Sequence, residues 1–89
     1  MKEAYLEVTY RHGRPLAAYF YLPRSRRAKS VRTRRVEPGL IIDLSAKGEP
    51  IGIEITAPGA VTVAALNRVL REFGLTPIRS KDLAPLRAA

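Results

Sequence analysis

The sequence predicts an α+β domain: a mostly antiparallel sheet of about five strands, one C-terminal amphipathic helix packed on one face, and a short docked tail. Three observations predict this class. Apolar and polar residues alternate with period two before Gly59, as they do in half-buried strands. Glycine and proline turns separate these segments. After Gly59 the apolar spacing changes to three and four residues, which is typical of a helix with one buried face.

The first two strands are predicted at residues 5–10 and 16–22. Leu6 and Val8 share one face of the first strand, and β-branched or aromatic residues fill much of the rest. The turn Arg11–Pro15 carries glycine and proline, so we expect a hairpin. Pro23 ends the second strand.

Residues 31–36, 40–44 and 51–55 are the next three predicted strands. Pro38-Gly39 has the signature of a type II turn, which matches poorly with the twist of a tight hairpin, so we expect a splayed or bulged connection. Gly48 suits a left-handed position in the following loop.

The helix is predicted from Val63 to Phe73, with Thr62 as its N-cap and Gly74 just past its end. Its apolar stripe consists of Val63, Leu66, Leu70 and Phe73. Apolar residues in the tail indicate that it docks, on its own domain or on another subunit: Leu75, Ile78, Leu83 and Leu86. We expect one domain over residues 1–89, with a sheet core at 5–57, a helix at 62–74 and a tail at 75–89.

The composition excludes several classes of protein. The chain has 89 residues and no cysteine, so disulfides, thiolate metal sites and thiol catalysis are ruled out. The longest apolar run, residues 16–22, is far shorter than the roughly 20 residues that span a bilayer. The first residues lead into no apolar signal segment. We expect a soluble, cytoplasmic protein that does not bind membranes.

The formal net charge is +8, and twelve of the sixteen cations are arginine. Such a charge favours an anionic partner. A general compositional bias towards arginine is the alternative explanation. Seven cations with no intervening acid lie in residues 24–35 and are candidates for contact with nucleic acid or another anion: Arg24, Arg26, Arg27, Lys29, Arg32, Arg34 and Arg35.

Asp43 and Glu54 lie at alternating positions opposite the predicted core face. Paired carboxylates can perform acid–base chemistry. No nucleophile or metal-binding histidine accompanies them, so we interpret both as solvent-facing strand residues that can pair with third-strand arginines. His12, the only histidine, lies in a turn and cannot build a usual zinc site alone. We therefore predict no catalytic residue, no metal, no cofactor and no enzymatic activity.

The predicted helix covers only one face of the sheet, so the other face is left without a covering element. Its predicted residues are only weakly polar, and such a face in a small protein is commonly covered by a second subunit. Tyr19, Tyr21 and Ile41 are the candidate interface residues. The same tyrosines could also stack on nucleic-acid bases.

The segment T-x-x-V-E-P-G-L-I-I-D-L-x-x-x-G-x-x-I-G-I-E-I, residues 33–55, resembles a small bacterial domain of unknown function with a V-x-P-G…D…G-x-x-V-G-I-E-I core. The resemblance covers roughly residues 5–57. It implies no established activity, although some members look like the antitoxin half of toxin–antitoxin gene pairs. The basic turn at residues 11–14 and the basic loop at 24–30 depart from the family pattern.

The sequence thus favours a non-catalytic interaction module that forms a homodimer or binds a small protein partner. An antitoxin-like role is one form that such a module could take. The alternative is a basic RNA- or DNA-binding protein that uses residues 24–35. The sequence leaves the partner, the oligomeric state and the biological process open.

Overall fold

The computed structural model describes residues 4–23 and 29–87. The elements follow the order β1 Tyr5–Arg11, β2 Arg14–Tyr21, β3 Arg32–Glu37, β4 Leu40–Leu44, β5 Pro50–Ile55 and α1 Val63–Glu72, with 3₁₀ segments at Pro58–Ala60 and Ser80–Arg87. The five strands form one antiparallel sheet in the order β1-β2-β5-β4-β3. The predicted α+β class is confirmed.

The turns follow from their residues. His12 and Gly13, with φ of +52° and +76°, form the two-residue loop between β1 and β2. Two successive left-handed residues match the twist of a hairpin. Gly39 has φ +79° between β3 and β4, and the pairing of these strands is irregular between Arg35 and Glu37. The predicted bulged connection is confirmed there.

The core lies on the sheet face towards α1. Phe20, Ile42 and Ile53 from the sheet pack in one cluster with residues of α1 and the tail. Full burial of each large apolar side chain stabilises the fold by about 1.5–3 kcal/mol. Strict alternation with Ile53 and Ile55 would place Ile51 on this face; it is buried but lies outside the main cluster. The reason is a bulge in β5, because Asp43 pairs with Gly52 whereas Leu44 pairs with Pro50.

The helix has the predicted ends but a rotated apolar face. The Thr62 hydroxyl accepts a hydrogen bond from the Ala65 amide at 3.0 Å. At the other end Gly74 has φ +70°, and the Leu75 amide donates to the Leu70 carbonyl, as in a Schellman motif. Leu66 and Leu70 are buried as predicted. Val63 and Phe73 are only half-buried, and Val69, outside the predicted stripe, is buried.

The tail docks on its own domain, one of the two arrangements expected from the sequence. Leu83 and Leu86 are buried in the core. The Asn67 side chain, on α1, donates to the Ile78 carbonyl at 3.1 Å and accepts from the Ile78 amide at 2.8 Å. The Tyr10 hydroxyl donates to the Pro85 carbonyl at 3.0 Å. Polar groups therefore fix the path of the tail, and apolar groups supply its burial.

Asn67→Ala should lower the free energy of unfolding by about 1–3 kcal/mol, because it leaves the amide and carbonyl of Ile78 without their partner. Urea unfolding followed by circular dichroism measures this change. Arg71→Ala, at an exposed position on the same helix, is the control and should change stability by less than about 0.5 kcal/mol. Equal effects of the two variants would contradict a fixing role for Asn67.

Candidate functional site

The sheet face opposite α1, here called the outer face, carries the candidate interface residues. Strand pairing arranges its side chains in two rows across the sheet. The first row contains Glu7, Tyr19, Glu54, Ile41 and Arg35, on β1, β2, β5, β4 and β3 respectively. The second row contains Tyr5, Tyr21, Gly52, Asp43 and Thr33, in the same strand order. The structure thus brings Tyr19, Tyr21 and Ile41 onto one surface.

Three tyrosines form a continuous aromatic cluster on this face. Tyr5 and Tyr21 stack with ring centroids 4.4 Å apart, and Tyr19 meets Tyr21 edge to face at 4.6 Å. Such contacts favour one arrangement of the rings over others. Tyr5 is 48% exposed, while Tyr19, Tyr21 and Ile41 are half-buried. The cluster therefore presents ordered aromatic surface to solvent.

Tyr19 is held in place by a polar contact across the sheet. Its hydroxyl donates a hydrogen bond of 2.6 Å to Oδ2 of Asp43, two strands away. The ring crosses over Gly52, where any added Cβ would overlap the ring atoms. Glycine within a strand often marks such a close approach. The absence of a side chain at residue 52 is what allows the tyrosine to reach the carboxylate.

The interpretation of Asp43 as a solvent-facing residue is wrong. Asp43 is only 9% exposed, and its described hydrogen-bond partner is Tyr19 rather than a third-strand arginine. The tyrosine ring covers it, an arrangement that period-two alternation alone does not reveal. Glu54 is half-buried in the neighbouring row and lies opposite Ile41 rather than opposite Asp43.

Two carboxylates flank Tyr19 in its row. Glu7 lies opposite it on β1 and Glu54 lies opposite it on β5. The three residues line a shallow hollow of about 220 Å³, together with Thr9, Ala17 and Thr56. The two carboxylates beside this hollow suit a cationic side chain, because charge attraction favours it.

The basic segment is divided by the fold. Arg24, Arg26 and Arg27 lie outside the described residues. Lys29 is exposed before β3. The pairing of β3 places Arg32 and Arg34 on the same side of the sheet as α1 and Arg35 on the outer face. The described cations of this segment therefore do not form one surface.

Two ion pairs join β3 to α1. Arg34 pairs with Glu72, and its guanidinium lies 5.3 Å from the centre of the Phe73 ring. Arg68 pairs with Glu37 at 3.0 Å, and this hydrogen bond lowers the pKa of the Glu37 carboxyl below its ordinary value. Arg34, one of the candidate anion contacts, is thus engaged in the helix–strand contact. Exposed pairs of this kind contribute little stability each.

The two central rows of the outer face have a net charge opposite to that of the whole chain. Its two rows contain three carboxylates, Glu7, Asp43 and Glu54, against the single guanidinium of Arg35, whereas the chain carries +8. Period two predicts Asp43 and Glu54 on this face, whereas only the strand order brings Glu7 into a row with Glu54. The period-two position of Glu7 beside Tyr5 was the available signal.

The described residues offer little else for ligand chemistry. They contain no cluster of three His, Cys, Asp or Glu side chains that could hold a metal ion. His12 is exposed in its hairpin turn. A cleft of about 440 Å³ lies between the start of β1 and the tail, lined chiefly by apolar residues such as Leu6, Phe20 and Leu75.

Gly52→Ala should lower the free energy of unfolding by about 1–3 kcal/mol, because the new methyl group displaces the Tyr19 ring. The double variant Gly52→Ala/Tyr19→Ala should lose clearly less than the sum of the two single changes, since the overlap is then removed. Urea unfolding of all four proteins gives the coupling. Additive effects would show that the ring does not cross Gly52.

Neither α1 nor the two 3₁₀ segments has the length and apolar character of a helix that crosses a membrane. Comparison with curated proteins and with solved structures gives no match. Residues 17–57, from β2 to just past β5, match the model of the family described as "Protein of unknown function (DUF2283)". Over these residues the chain is therefore similar to a domain of unknown function, which supports part of the resemblance over 5–57.

Proposed function

We propose that this protein is a non-catalytic interaction module that docks a protein partner on the outer face. The observation that carries this proposal is the ordered cluster of Tyr5, Tyr19 and Tyr21, which remains partly exposed beside Ile41. Tyrosine is enriched at protein interfaces because it offers a large apolar body with a polar tip.

Preorganisation supports the same function. The Tyr19 ring is fixed by Asp43 and by the close approach to Gly52, so little side-chain freedom remains to be lost on binding. The Tyr21 hydroxyl donates to Glu7 at 3.3 Å, on the exposed side of the cluster. A surface that is ordered before a partner arrives binds with a smaller entropic cost.

The charges beside Tyr19 on the outer face disfavour phosphate. Glu7 and Glu54 flank Tyr19, so a nucleic acid that stacked a base on this ring would place its phosphates close to carboxylates. This arrangement weakens the case for the RNA- or DNA-binding alternative, which relied in part on these tyrosines. An antitoxin-like role in the cytoplasm is one form of the proposed function, because an acidic face suits a basic toxin.

Ile41→Lys should weaken any complex of the protein, with itself or with another protein, at least about tenfold, because it places a charge among the apolar contacts. Light scattering and native mass spectrometry identify the complex, and titration calorimetry gives its Kd. Arg71→Glu, on the exposed side of α1, should leave the Kd within about twofold.

Equal binding by both variants would overturn the proposal. The alternative would replace it if the protein bound mixed RNA or DNA at near-physiological salt and lost that binding on substitution of Lys29 and Arg32.

A further inference from the structure

We infer that the occupant of the outer face is a second copy of this chain, seated face to face about a two-fold axis parallel to β5. The inference rests on the proposed function and specifies its partner. Packed sheets keep their strand directions within about 30° of each other, so an axis along the strands is one of the two orientations that a symmetric sheet pair can adopt.

The position of β5 at the centre of the sheet makes the first row complementary to itself. Two strands separate β5 from Glu7 on β1 at one edge, and two strands separate it from Arg35 on β3 at the other edge. Rotation about an axis along β5 exchanges these edges. Glu7 of each copy then lies opposite Arg35 of the other, which gives two equivalent ion pairs.

The apolar residues of the row match in the same rotation. Tyr19 on β2 and Ile41 on β4 are the immediate neighbours of β5 on its two sides. The Tyr19 position of one copy therefore lies opposite the Ile41 position of the other. Because each Tyr19 ring crosses over Gly52 on β5, the two rings meet near the axis. In the second row Tyr5 lies opposite Thr33. No shift along the strands is needed, because this rotation keeps each row facing itself.

The other orientation lacks this complementarity. A two-fold axis across the strands places β1 over β1 and β3 over β3. Glu7 and Arg35 then remain at opposite edges of the sandwich and cannot pair. The opposite charges at the two edges of the row thus select the axis along β5, with the twist between sheets leaving an offset of a few ångströms that Glu and Arg side chains can span.

Glu54 is the one residue of the row that opposes this assembly. It lies on β5 and therefore meets Glu54 of the second copy at the axis. Two carboxylates in close approach repel each other. Removal of this charge should strengthen the dimer, an effect that a face docked on an unrelated basic protein would not show, because there Glu54 would attract.

Charge exchange between edges tests the inference directly. Glu7→Arg and Arg35→Glu should each weaken self-association at least about tenfold, because each turns both ion pairs into repulsive pairs. An equimolar mixture of the two variants should form a heterodimer close to wild-type affinity, since the arginine introduced in one variant then faces the glutamate introduced in the other across the axis. Glu54→Gln should tighten the homodimer several-fold. Sedimentation velocity measures the three variants and the mixture.

Control variants distinguish a specific effect on the dimer from effects of net charge or of misfolding. Glu49→Arg and Arg71→Glu change the net charge by the same amounts at exposed positions off the outer face, and both should dimerise as wild type does. Circular dichroism checks that each variant folds. A dimer that is indifferent to the charge exchanges, or a mixture that does not recover, overturns the inferred geometry.

A strict monomer at about 1 mM, a concentration at which even a weak dimer is populated, overturns the second copy as occupant. The proposed function then stands if Ile41→Lys abolishes a complex with another protein. A dimer whose affinity Ile41→Lys leaves unchanged overturns both the proposed function and the second copy as occupant.

Discussion

The position of β5 between β2 and β4 is the constraint on which the rest of the structure depends. Without it, β1-β2 and β3-β4 would be two separate hairpins, and isolated hairpins are at best marginally stable in water. One face of β5 supplies Ile53 and Ile55 to the core, both almost completely buried. The other face supplies Gly52 and Glu54 to the outer face. The same strand therefore closes the core and shapes the candidate site.

Gly52 shows how these two tasks are linked. Glycine weakens a strand interior because it has no side chain to pack and more backbone freedom to lose. Here the missing side chain leaves room for the Tyr19 ring to cross from β2 and bond to Asp43 on β4. The contact spans β5 and joins the two halves of the sheet on the side that the helix does not cover. A locally unfavourable residue thus permits a contact over three strands.

The composition of the chain does not reveal how its charges are distributed in the fold. A net charge of +8 points to an anionic ligand. In the fold, Arg34 and Arg68 are engaged in ion pairs between β3 and α1, and the acids gather beside the tyrosines on the outer face. A contacting molecule responds to the charges of the surface that it touches, because screening in physiological salt limits their reach to about 8 Å. An outer face that carries Glu7 at one edge and Arg35 at the other is also compatible with self-recognition.

Sequence patterns by themselves determined the local elements. Period two predicted all five strands to within two residues at each end, Thr62 and Gly74 marked the ends of the helix, and Pro38-Gly39 predicted a splayed or bulged connection. These features depend on residues that are close together in the sequence, so they can be predicted before the tertiary structure is known. The strand order, the buried Asp43, the use of Val69 instead of Val63 and the clamp of Asn67 on Ile78 were decided only by tertiary structure. Each of these features depends on which distant segment packs against the residue. The pairing of β2 with β5, for example, joins residues more than thirty positions apart in the sequence, and local periodicity carries no information about such a pairing.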